Sequence, residues 1–189
     1  MTATRKPAKL SLMAKKLSAI AIAVVTTALA LQNAAAGERI VSKYTSTARA
    51  KSISFKDHSD VPEGGFEALF PGHGGYKLLH LSGDERSWIN IRYGKTTVDL
   101  YEATMNEGPG AFPHKENDVV EWRGVEKDGR FTPYAIIYRL AGYDEERNLH
   151  KTRLIVIKLD KERSAVVGHA EGAKEDVEAK QIADRLRPR

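Results

Sequence analysis

The stretch YKLLHLSGDERSWINIRYG, Tyr76 to Gly94, decides the fold. In its second half Trp88, Asn90 and Arg92 alternate with Ile89, Ile91 and Tyr93. Successive side chains of a strand point to opposite faces, so this period of two predicts a strand with one face buried. Gly83, Asp84 and Glu85 separate it from the apolar run before it. Turn-forming residues between two such runs predict a β-hairpin.

Working outward toward the C-terminus, three more strands are expected. They are VVEWRGV (Val119–Val125), PYAIIYRLAG (Pro133–Gly142) and KTRLIVIKL (Lys151–Leu159). In the second, Tyr134, Ile136, Tyr138 and Leu140 should share one face. The third is nearly continuously apolar from Leu154 to Ile157, as a strand covered on both faces is. Charged turns, YDEERN and DKERS, link these strands to AVVGHA, which predicts an antiparallel meander. The terminal AKEDVEAKQIADRLRPR changes period. Ala173, Val177, Ile182, Ala183 and Leu186 recur near helical spacing, with Glu175 and Asp176 early, Arg185 and Arg187 late, and Pro188 as a stop. This predicts a helix over 174–187 oriented to suit its dipole.

Directly after Gly94, KTTVDLYEAT reads as a further strand. Met105–Asp118 and Lys56–Gly75 read as loops, since Gly and Pro punctuate both. Residues 37–56 read as one or two edge strands. The expected fold is mainly β, an antiparallel sandwich or partly closed barrel with one C-terminal α-helix. An outer-membrane barrel needs an apolar band at alternate positions of every strand. Arg92, Glu121, Arg123, Arg139 and Lys158 interrupt any such band.

At the start of the chain, Arg5, Lys6, Lys9, Lys15 and Lys16 precede an uncharged run, Leu17–Leu31. That run is shorter than the ~20 residues a membrane-spanning helix needs. It matches the roughly 7–15-residue apolar region of a secretory signal. Ala34 and Ala36 supply the small residues that a signal peptidase accepts. Residues 1–36 are therefore expected to be a cleaved signal peptide and 37–189 a single β-rich domain, periplasmic or secreted. An uncleaved anchor is the alternative. Translation from Met13 would leave a more ordinary signal than translation from Met1.

The leader also explains the sequence pI of about 9.3. Five of the 30 Lys+Arg residues precede Gly37 and none of the 25 Asp+Glu residues does, so the chain from Gly37 onward is electrically balanced. A nucleic-acid binder should carry a basic excess, so no nucleic-acid partner is expected. There is no cysteine, hence no disulfide and no lipid-anchored amino terminus. Once processed, the protein is not expected to span a membrane.

Chemistry is sparsely marked. FPGHGGYKLL, Phe70–Leu79, sets His73 at the tip of a glycine-rich turn. It is either a ligand-facing loop, with His73 as acid, base or ligand, or a tight turn with His73 solvated. No GK[ST] follows, so it is not a phosphate loop. His58, His73, His80, His114, His150 and His169 show no metal-ligand spacing, and no metal or cofactor is expected. Asp57, His58 and Asp60 read as a solvated string. Ser82 lies beside Asp84 and Glu85 without an oriented base or oxyanion hole. Asp144, Glu145 and Glu146 lack the calcium-loop pattern. Trp88, Trp122, Tyr134 and Tyr138 fall on strands and read first as core. If some face outward they mark a surface for a protein, peptide or glycan. The candidate ligand-binding residues are His73, Tyr76, Trp88, Arg92 and Trp122.

PGxGGY at Pro71–Tyr76, VEWR at Val120–Arg123 and the AxxxAD pattern of the terminal helix carry a resemblance. The chain from about Phe70 to Arg185 resembles a group of uncharacterised small exported proteins of alphaproteobacteria. The shared motifs are structural, so the resemblance implies export and transfers no functional residue. Members of that group carry Cys before PG and at the terminus. Phe70 holds the first position here and the terminal Cys is missing, so any staple those cysteines form is absent. The expected function is that of a non-catalytic binding module of the cell envelope. One alternative is an inhibitor of an envelope hydrolase such as lysozyme, using the HLSGDERSW hairpin. Another is a hydrolase pairing His73 with Asp84 or Glu85. An enzyme should bring His73 within hydrogen-bond reach of a carboxylate in a concave pocket. An inhibitor should present a protruding loop.

Overall fold

The computed structural model describes residues 37–144 and 146–188; the leader, its cut after Ala36 and the choice of start lie outside them. In chain order the elements are β1 (Arg39–Ser46), β2 (Ser54–Asp57), β3 (Phe66–Pro71), β4 (Tyr76–Gly83), β5 (Arg86–Tyr93), β6 (Thr96–Val98), α1 (Tyr101–Glu107), β7 (Ala111–Lys127), β8 (Arg130–Asp144), β9 (Leu149–Lys158), β10 (Ala165–Ala170) and α2 (Glu175–Asp184). They form two five-stranded sheets, a long one in the order β1-β7-β8-β9-β10 and a short one in the order β2-β3-β4-β5-β6. All neighbours are antiparallel, and neither sheet closes into a barrel. The fold is a mainly β sandwich with a C-terminal helix.

The inner faces meet in one apolar core. Phe70, Leu78, Ile89 and Ile91 of the short sheet pack with Val120, Trp122, Ile136, Tyr138, Leu140, Ile155 and Ile157 of the long one. Each fully buried aliphatic side chain contributes about 1.5–3 kcal/mol. The far face of the long sheet carries Ala135, Ile137, Leu154 and Val156, which Ala179 and Ala183 of α2 cover. This second layer accounts for the unbroken apolar run in β9. A polar clasp fixes α2 there. The Asp184 carboxylate accepts two bonds from the Arg123 guanidinium, each 2.8 Å, and one from the Tyr134 hydroxyl at 2.6 Å. Burial alone would raise the Asp184 carboxyl, but these donors outweigh it and hold it below its ordinary 3.8.

Several expectations need correction. Tyr134 does not share a face with Ile136. A bulge sets Arg123 opposite Ala135 and Gly124 opposite Pro133, so Tyr134 is the extra residue and turns toward α2. Val177 faces solvent, 55 % exposed, and Ala179 takes the buried position. Phe66–Pro71, inside the expected loop, is β3. KTTVDLYEAT yields only the three-residue β6 before the chain turns into α1. Two side chains set that helix up: Asn90 Oδ1 accepts the Leu100 N–H at 2.8 Å, and Asp99 Oδ1 accepts the Tyr101 N–H at 3.0 Å. Most of the second expected loop belongs to β7. That strand bulges between Lys115, opposite Leu140, and Val120, opposite Tyr138.

The β4–β5 hairpin is built as its sequence suggests. Gly83 pairs with Arg86. Asp84 and Glu85 form the two-residue tip, with φ of 49° and 60°, the backbone of a type I′ turn. The hairpins divide the turns between two ends of the sandwich. Asp84, at one end, donates its N–H to the Glu63 carbonyl at 3.1 Å, which ties the β2–β3 loop to the hairpin tip. At the other end Gly74, Tyr93, Arg130 and Lys161 gather around one pocket.

Candidate binding site

At the hairpin end an open cleft of about 450 Å³ is lined by Glu63, Gly83, Asp84, Trp88, Asp99 and Tyr101. Each lining residue is held by local structure. Glu63 sits at a φ of 62° in the β2–β3 loop. That loop is pressed so closely on β4 that a Cβ on Gly65 would lie 2.0 Å from the Ser82 carbonyl oxygen. Trp88 points outward from β5, as its alternation with Ile89 requires. Tyr101 opens α1 and sets its ring against Trp88, with centroids 4.7 Å apart at 66°. Asp99 is fixed by the bond it accepts from Tyr101.

The charges are uneven. Asp84 is paired with Arg86, whose guanidinium also lies 4.8 Å over the Phe112 ring. Among the described residues Glu63 and Asp99 form no ion pair. The indole N–H of Trp88 is buried and has no acceptor among the described residues. The cleft thus combines an aromatic wall with two carboxylates that form no ion pair among the described residues. An ammonium or guanidinium group suits such a wall by cation–π attraction and suits the carboxylates by charge-assisted hydrogen bonds.

The five residues picked out by sequence are not brought together. Trp88 is in the cleft. Arg92 lies further along the outer face of β5, its Nε donating to Thr97 Oγ1 at 3.0 Å. His73, Tyr76 and Trp122 meet at the opposite end. His73 is half-buried there. Its ring wedges edge-on between Trp122 and Phe131, at 5.4 and 5.3 Å. Burial, with a smaller contribution from Lys43, lowers its pKa from 6.5. Trp122 is fully buried, its Nε1 donating to Thr45 Oγ1 at 2.8 Å. Tyr76 is buried, and its hydroxyl accepts the Lys161 N–H at 2.9 Å.

His73 precedes β4, whereas Asp84 and Glu85 follow it. The eight-residue strand between them is about 23 Å long at ~3.3 Å per residue. The acid–base pair of the hydrolase alternative is therefore not assembled. Among the described residues no group of three or more His, Asp or Glu side chains is placed to hold a metal ion, and no helix is long and apolar enough to cross a membrane.

Tyr101, Asp99 and Glu63 were missed from the sequence. The first two belong to a helix start that read as strand. The signal for it is the Asp99-Leu100-Tyr101 order, an Asx side chain two residues before a helical N–H. Comparison with protein-family models, with curated proteins and with solved structures finds no match to this chain.

Proposed function

We propose that this is an exported, non-catalytic binding module that recognises cationic side chains of a partner protein through the cleft at its hairpin end. The observation that carries the reading is the pairing of the Trp88–Tyr101 wall with Glu63 and Asp99, two carboxylates that form no ion pair among the described residues. Export rests on the leader. The exposed, acidic Asp84–Glu85 tip favours one sharper form of the reading, in which the partner is a basic envelope hydrolase such as lysozyme and the hairpin enters its cleft.

The two tryptophans make the test direct. Trp122 is fully buried, so a ligand-induced change in indole emission reports Trp88. The purified protein titrated at low ionic strength should show a saturable emission change with trilysine or triarginine, and saturable heat with lysozyme, whose own tryptophans rule out the emission readout. Combined Glu63→Gln and Asp99→Asn substitutions should weaken it about tenfold or more, since each charged hydrogen bond is worth roughly 1.5–3 kcal/mol. A flat titration with all three probes, or undiminished binding by the doubly substituted protein, would refute the cleft. The native amino terminus should begin at Gly37 by mass spectrometry; an intact leader would refute the assigned cut.

A further inference from the structure

We propose that the opposite end of the sandwich carries a second site, for a small organic anion with an apolar body. The pocket, about 260 Å³, is lined by Gly74, Tyr76, Tyr93, Arg130, Phe131 and Lys161, with Thr132 and Pro133 completing its wall. Its two cations come from separate turns, Arg130 from the start of β8 and Lys161 from the β9–β10 connection. Among the described residues neither forms an ion pair. The acidic residues beside them are already engaged: Asp160 with Lys158 and Arg163, Glu162 with the Thr96 hydroxyl.

Lys161 is the informative residue. Its φ is 52°, a backbone region that glycine or asparagine occupies at least cost and lysine does not. The position is also pinned. The Lys161 N–H is donated to the Tyr76 hydroxyl, and the Lys161 carbonyl accepts from Ser164 Oγ at 2.8 Å. A long cationic side chain held against the preference of its own backbone, by partners that lock the turn, places an ammonium at the pocket mouth. That ammonium lies 5.9 Å from the Tyr93 ring centre.

The floor is aromatic and already formed. Tyr76 and Tyr93 lie with ring centroids 4.8 Å apart, and Phe131 is held by the His73 wedge. Gly74 is required on the wall, since a Cβ there would come within 2.7 Å of Pro133 at a φ of 63°. The glycine turn that the sequence marks as distinctive therefore serves this pocket through its backbone. The anionic head sits between Arg130 and Lys161, and the body lies on Tyr93 and Phe131.

The test is a titration of the ¹⁵N-labelled protein with benzoate and phenyl phosphate, followed by amide shifts. Benzylammonium serves as the charge-reversed control and inorganic phosphate as the control without a body. Benzoate, phenyl phosphate or both should move the Gly74, Gly75, Phe131 and Lys161 amides saturably, and whichever binds identifies the head group. Lys161→Gly keeps the turn, because glycine adopts this φ freely, and should raise the dissociation constant about tenfold or more. Arg130→Ala should do the same. Absence of saturable shifts with both organic anions would overturn the site. So would equal shifts from benzylammonium or inorganic phosphate, or unchanged affinity in folded Lys161→Gly protein.

Discussion

Trp122 and Trp88 stand for the two ends of this sandwich. Trp122, beneath the glycine turn, is fully enclosed: its N–H is satisfied by Thr45, and Gly72 and the His73 ring press on it. Trp88, at the hairpin end, is only partly covered, its N–H has no partner, and its ring leans on a tyrosine that is 38 % exposed. The two side chains share a chemistry and are used in opposite ways. At the glycine end Trp122, Tyr76 and the His73 ring are spent on packing, and what is left for a ligand is Tyr93, Phe131 and the cations around them. At the hairpin end the aromatic face itself is left available, with carboxylates beside it. Available polar groups of opposite sign at opposite ends imply two separate surfaces.

The strongest way to break that contrast is to remove each indole. Trp122→Ala should lower stability by about 3–5 kcal/mol, the range for truncating a fully buried large aromatic. Trp88→Ala should cost about 1 kcal/mol, as a partly exposed site does. Urea unfolding of both variants measures the difference directly. Comparable losses would make Trp88 a core residue and its cleft a packing defect.

Much of this arrangement could be read from the residues. The alternation in Arg86–Tyr93 specifies the hairpin, the unbroken run at Leu154–Ile157 specifies a strand covered twice, and the change to helical spacing marks α2. Local pattern failed wherever tertiary contacts decide the outcome. Phe66–Pro71 is a short run framed by glycines and becomes a strand because β4 is there to pair with it. Tyr101–Glu107 has strand-forming neighbours and becomes helix because Asn90, distant in sequence, takes up the Leu100 N–H. His73 read as exposed because glycine turns usually are, yet its ring packs edge-on against Trp122 and Phe131 and is half-buried. Lys161 reads as part of the charged turn DKERS and Arg130 carries no mark at all, and only their shared pocket singles them out.

Histidine sharpens the comparison along the same strand. His80 is 8 % exposed, its ring edge-on to Phe66 at 4.8 Å, and its Nε2 has no partner. Nearby, the Lys115 side chain is only 2 % exposed; its ammonium is held by the Asn117 carbonyl and by Asp118 at 3.5 Å. Burial, reinforced by the Lys115 charge, takes the His80 pKa from 6.5 down to about 3. The unfolded chain therefore binds a proton below pH 6.5 that the folded chain refuses until about pH 3. This contribution to stability is complete above 6.5 and is lost progressively as pH falls through that window. The slope approaches roughly 1.4 kcal/mol per pH unit, or about 2 kcal/mol between pH 6.5 and 5. Unfolding followed over this range should show the loss in the native protein and a flatter profile in His80→Leu. His73, less buried, should give a smaller change in His73→Leu. Equal slopes in native and His80→Leu protein would mean that His80 does not set the acid limit.

The smallest effects test how tightly each end is specified, and glycine is the probe. A Cβ on Gly72 would lie 2.4 Å from Trp122 Cη2 and 2.6 Å from the Tyr76 carbonyl oxygen. The carbonyl belongs to backbone that the β3–β4 turn holds in place, so neither neighbour can yield cheaply. Gly72→Ala should cost about 1–3 kcal/mol, the usual penalty for overpacking. A Cβ on Gly83 meets only the Glu63 carbonyl oxygen, at 3.5 Å, an ordinary contact. Gly83→Ala should change stability by no more than about 0.5 kcal/mol, and it should leave trilysine binding intact because the cleft is bounded there by space and not by close packing. The paired substitutions thus separate two kinds of glycine that the sequence cannot tell apart: one that admits a neighbouring side chain, and one that merely precedes a turn. A loss at Gly83 equal to that at Gly72 would show the hairpin end to be as closely packed as the other, and a cation would then have no room to enter beside Trp88.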